Sequence, residues 1–143
     1  MGQIGIRSVL DTSMRPALRK ALESQLHEYD SIETEAHSIA THRGWELEEL
    51  DPGIRMMTDM MTRMKLRGSN TDSKIAGMMI QGNTKGMIKG LRNINQFATQ
   101  DAQVKTVSQK LLDCETANIR QMQTFLYGGI SAAPFFTRFP KAA

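Results

Sequence analysis

The run VKTVSQKLLDCETANIRQM, residues 104–122, decides how the chain is read. At ~100° per residue, Val104, Leu111, Asn118 and Met122 project within a narrow arc, and Glu115 lies about 40° from its middle. A carboxylate is thus aimed at the core by a helix that otherwise buries aliphatic side chains. No strand pattern competes with this period, so the chain is expected to be all-α.

Outward from this helix, caps and stops divide the chain. Thr12 or Ser13 can cap a first long helix, with Pro16 in the opening turn, where its missing N–H is harmless. Its apolar face, Leu18, Leu22, Gln25, Tyr29, Ile32, Ala36 and Ile39, has the 3-and-4 spacing of a bundle helix. His42, Arg43 and then Gly44 form a C-terminal stop. Trp45 lies in the loop that follows. Asp51-Pro52 opens a shorter helix ending near Arg67-Gly68, and Ser69-Asn70-Thr71 supplies the next cap. The helices are therefore expected over about 14–43, 52–67, 71–98 and 101–127, in a single domain and an up-and-down four-helix bundle, with an aromatic tail at 128–143.

Composition agrees with this. A chain of 143 residues can bury one core, and 40% apolar with 23% charged residues is ordinary for a globular protein. No apolar stretch approaches the ~20 residues of a membrane helix, and the opening residues carry neither a signal-peptide apolar block nor a myristoylation pattern. A cytoplasmic address without a membrane partner is the expectation. Cys114, the only cysteine, excludes an intrachain disulfide and reads as a small core residue rather than a nucleophile.

The net charge of +3 hides an asymmetry: nine Lys/Arg against eleven Asp/Glu up to Asn70, and nine against four after it. The acidic cluster Glu28, Asp30, Glu33 and Glu35 belongs to the first helix, and Lys85, Lys89 and Arg92 form a stripe on the third. The two halves are expected to attract. Three cations without a recognised reading motif are read as a solvated face, so nucleic acid is not an expected partner.

Met56, Met57, Met60, Met61 and Met64 make a methionine stripe on the second helix. Paired thioethers can bind Cu(I), but no His or Cys accompanies them, and core packing is the stronger reading. In the third helix, Gly82, Gly86 and Gly90 form a ridge along which another helix could approach closely. Gly77 and Gly82 have the spacing of a phosphate loop, yet Asn83-Thr84 stand where its lysine and hydroxyl belong.

Di-iron bundles carry Glu-x-x-His on two helices and one more Glu from each of the others. Here the corresponding place is Glu115-x-x-Asn118. The inward faces add only Gln25, Tyr29 and Asn83, which makes one carboxylate and no histidine; His27, His37 and His42 fall away from the central face. Gln25, Tyr29, Asn83, Glu115 and Asn118 are read as a buried polar cluster, each group needing a partner in the core. No catalytic residue, no metal and no cofactor are expected.

Ser73-Lys74-Ile75-Ala76-Gly77-Met78-Met79-Ile80-Gln81-Gly82-Asn83-Thr84-Lys85-Gly86-Met87-Ile88-Lys89, followed by Lys110-Leu111-Leu112-Asp113-Cys114-Glu115 and Asn118-Ile119-Arg120-Gln121-Met122, resembles uncharacterised small proteins of endospore-forming Firmicutes. These look like the spore coat F family. Over roughly residues 14–126 the resemblance implies a ferritin-like helical bundle and a spore-forming organism, and it supplies no catalytic residue. A non-enzymatic structural or interaction role, spore-coat associated, is the expectation. The alternative is a metal-binding ferritin-like oxidase or metal store built around Glu115.

The tail holds Phe135, Phe136 and Phe139 between Pro134 and Pro140, and exposing them would create a sticky patch. They are expected to dock, either on their own bundle beside Trp45 or on a second subunit. A homodimer, joined through bundle faces or this tail, is the expected assembly.

Overall fold

The structure, a computed structural model, describes residues 2–46, 71–97 and 101–126. Among them are four helices and no strand: α1, Gly2–Leu10; α2, Pro16–His42; α3, Thr71–Phe97; and α4, Ala102–Gln123. The protein is an all-α helical bundle over these residues. The expected 52–67 helix with its methionines, and the tail with Phe135, Phe136 and Phe139, lie outside them.

Helix α1 departs from the sequence reading, which placed no element before residue 12. Gly2 and Gly5 disfavour a helix, and nine residues fall short of the ~12–15 that an isolated helix needs. Docking supplies what propensity lacks. Ile6 and Val9 are completely buried against α2 and α3, while Gln3 donates to Asp30 at 2.7 Å and Arg7 pairs with Asp30 at 3.1 Å.

Neither Thr12 nor Ser13 caps α2. The residue before a proline is held extended, so Arg15, at φ −63° and ψ 143°, becomes the boundary, with no side-chain cap. The other end matches the expected glycine stop. Gly44 takes φ 66°, with its N–H on Thr41 O at 3.2 Å and that of Trp45 on Ala40 O at 2.9 Å, a left-handed Schellman closure that a side chain would strain. Asp101 caps α4 by accepting from Gln103 N and Val104 N. This helix ends at Gln123, short of the expected Tyr127, because the backbone tightens into a turn through Leu126 whose carbonyl accepts from Ser73 Oγ at 2.8 Å.

Cross-helix contacts give the directions. Gly90 faces Leu112, Gly86 faces Glu115 and Gly77 meets Leu126, so α3 and α4 are antiparallel. Helix α4 is also antiparallel to α2, where Gln25 bonds Gln121, Lys110 pairs with Glu35, and Arg43 with Asp101. The links Arg15 to Asp72 and Tyr29 to Asn83 make α2 and α3 parallel. Helices α1 and α4 each pack on both α2 and α3, and the α3–α4 contact is the most extensive.

The core lies at the end where α1 docks: Ile6, Val9, Leu18, Ala21, Leu22, Tyr29, Ile75, Ala76, Met79, Cys114 and Met122. Further along α2, Ile32, Ala36 and Ile39 are only half-buried. Within the acidic cluster on α2, Asp30 pairs with Arg7 and Glu35 with Lys110, while Glu33 accepts from the Gln3 amide. Lys85, Lys89 and Arg92 stand exposed on α3.

Candidate functional site

All five polar residues singled out above are buried: Gln25 is 2% exposed, Tyr29 6%, Asn83 6%, Glu115 5% and Asn118 2%. Asn83, Glu115 and Asn118 meet at the Tyr29 hydroxyl, and Gln25 stands apart. The Tyr29 hydroxyl donates to Asn83 Oδ1 at 2.5 Å, and Asn83 Nδ2 donates to the Met79 carbonyl at 2.8 Å. The Glu115 carboxyl neighbours the same Tyr29 hydroxyl. Asn118 Nδ2 lies 3.5 Å from Cys114 Sγ, one turn back on α4. Gln25 points elsewhere, its Nε2 donating to Gln121 Oε1 at 2.7 Å. Gln121 escaped the sequence reading because it is itself exposed; its place three residues after Asn118 was the only signal.

Burial pushes the Glu115 carboxyl above the ordinary carboxylate range, and the Tyr29 hydroxyl offsets only part of that. The single Tyr29 hydroxyl proton has two acceptors within reach, Asn83 Oδ1 and the Glu115 carboxylate, so an ionised Glu115 competes with Asn83 for it. Glu115 Oε2 has no hydrogen-bond partner among the described residues, nor has Gln25 Oε1. Tyr29 is itself pushed upward by burial and by the Glu115 charge. Burial and then Glu28 and Glu115 push the Cys114 thiol up to about 12, which holds it as a protonated core thiol rather than a thiolate.

Two glycines make the room. A β-carbon on Gly86 would come within 2.5 Å of Glu115 Oε1, and one on Gly2 within 2.6 Å of Tyr29 Cζ. Tyr29 sits against Gly2 of α1 and Glu115 against Gly86 of α3, where an added side chain would force the facing group to shift. The glycine ridge itself is shorter than its spacing suggests. Gly86 and Gly90 face α4, while a β-carbon on Gly82 would meet nothing within 4 Å. Residues four apart drift about 40° around a helix, so three in a row wind out of a single interface.

Among the described residues no three of His, Cys, Asp and Glu converge as metal ligands. His27, His37 and His42 are exposed on α2, and His42 Nδ1 is 2.8 Å from the Ser38 carbonyl. Trp45 is exposed, with the Arg43 guanidinium 4.9 Å from its ring centre. A shallow groove lined by Lys105, Thr106, Gln109, Lys110 and Asp113 runs over the outer face of α4. No helix among the described residues is long and apolar enough to cross a membrane. Compared with known proteins, the chain matches no protein-family model, no curated relative and no solved structure.

Proposed function

We propose that the protein is a non-enzymatic structural or interaction protein, built as a ferritin-like bundle. One observation carries this reading: among the described residues, the Glu115 carboxyl and the Cys114 thiol both face inward. Glu115 is 5% exposed and Cys114 2%, whereas a general acid or nucleophile must meet its substrate. The three histidines that could assist either group stand on the outer face of α2. The setting, the cytoplasm and spore coat of a spore-forming bacterium, rests on the resemblance of residues 73–89, 110–115 and 118–122. Self-association as a homodimer, through bundle faces or through Phe135, Phe136 and Phe139, completes the proposal, and nucleic acid has no part in it.

A metal-dependent oxidase or metal store is the second reading, favoured by the buried, unpaired Oε2 of Glu115. Aerobic loading with Fe(II) or Mn(II), desalting and elemental analysis separates the two. Retention well below one metal per chain supports the non-enzymatic reading. Stoichiometric metal that is lost in Glu115→Ala overturns it. Analytical ultracentrifugation of the full chain and of a chain ending at Gly129 tests the assembly: a dimer that becomes a monomer on truncation assigns the interface to the tail.

A further inference from the structure

Tyr29, the partner of Glu115, lies directly beneath Gly2 of α1, the shortest helix among the described residues. Helix α1 has nine residues, and the five-residue link 11–15 ties it to α2. Its polar ties to α2, from Gln3 to Asp30 and Glu33 and from Arg7 to Asp30, lie at the surface. Its firm hold is the burial of Ile6 and Val9 and the seating of Gly2 on the Tyr29 ring. The opposite wall of the pair, Gly86 on α3, belongs to the most extensive helix contact among the described residues. If the site must open to water, α1 is the element that yields at least cost.

Ionising Glu115 makes that demand. Its Oε2 has no partner among the described residues, and the nearby Tyr29 hydroxyl, which also serves Asn83, offsets only part of the effect of burial. A carboxylate there has to draw in water, and water can enter only where a wall moves. We propose that α1 is a proton-dependent strap, seated on the bundle while Glu115 is a neutral acid and released when Glu115 ionises.

The surroundings leave Glu115 as the group that changes. Helix α2 presents Tyr29, and Glu28 beside Cys114; α4 presents Cys114; α3 presents Gly86 and Asn83, neither of which titrates. The amino-terminal charge ahead of α1 favours the carboxylate without cancelling the effect of burial. Tyr29 and Cys114 are both pushed well above neutrality and stay protonated between pH 4.5 and 9.

Hydrogen exchange followed by mass spectrometry, on the full chain from pH 4.5 to 9 and corrected for intrinsic rates, tests the proposal. Protection of residues 2–10 relative to 112–122 should fall as pH rises, by up to about tenfold per pH unit, and level off once Glu115 is ionised in the seated form as well. Glu115→Gln, which keeps the shape and cannot ionise, should hold α1 protection flat. Unchanged or rising protection of α1 in the wild type overturns the proposal, as does an equal fall in folded Glu115→Gln. Should Glu115→Gln not fold, the direction of the wild-type profile decides alone: protection of α1 that falls toward high pH supports the proposal, and protection that falls toward low pH overturns it.

Discussion

The α-carbon of Gly86 looks straight at the carboxyl of Glu115: a β-carbon there would stand 2.5 Å from Oε1 and 3.0 Å from Cδ. Helix α3 gives up a side chain at this point so that α4 can keep an acid inside the bundle. One turn on, a β-carbon on Gly90 would stand 3.2 Å from Leu112 Cδ2, so α3 meets an acid and an aliphatic side chain of α4 in succession.

Gly86→Ala should destabilise the protein by about 1–3 kcal/mol through overpacking, despite the ~1 kcal/mol by which alanine outranks glycine in a helix. Gly86→Leu should cost more. Gly82→Ala, in the same helix with open space around it, should instead stabilise by up to about 1 kcal/mol. Urea midpoints of the three variants check this, and like signs for Gly82→Ala and Gly86→Ala would contradict the geometry.

Glu115 should set a pH dependence of stability. Its folded-state pKa is raised above 4.5, so the folded chain holds a proton that the unfolded chain has already released. Its stabilising contribution is full below about pH 4.5 and is lost as pH climbs to the folded value, at up to about 1.4 kcal/mol per unit, with no further loss above it. The difference between wild type and Glu115→Gln should grow over that window and then stay constant. Chemical denaturation at a series of pH values reads it directly.

Tyr29→Phe removes the donor to Asn83 Oδ1, whose side chain is 6% exposed. A buried acceptor left without a partner costs about 1–3 kcal/mol. The paired change Tyr29→Phe with Asn83→Leu should recover part of that loss, because both polar groups are then gone; a double-mutant cycle measures the recovery.

Cys114 should resist alkylation. It is 2% exposed and its thiol is pushed up to about 12, so iodoacetamide at pH 8 finds neither access nor thiolate. Labelling of the native chain should be slow, and labelling in concentrated urea fast. Equal rates in the two states would mean that the α4 core opens readily.

The sequence by itself determined the long helices and their inward polar groups. Periodicity along Leu18 to Ile39 and Val104 to Met122 is a local property, and so are the Gly44 stop and the Asp101 cap, each satisfied within a few residues of the chain. The same period turned Gln25, Tyr29, Asn83, Glu115 and Asn118 inward. Which of these meet could not be read that way: Tyr29 and Asn83 are 54 residues apart and Gln25 and Gln121 are 96 apart, and a helical wheel fixes angle but not height along a neighbour. Only the tertiary structure showed that Gly86 makes room for Glu115 while Gly82 opens to space, since identical residues on one ridge differ solely in what lies opposite. It also decided α1, a glycine-bearing segment with little helical propensity of its own, which becomes a helix because Ile6 and Val9 find a surface prepared by α2 and α3.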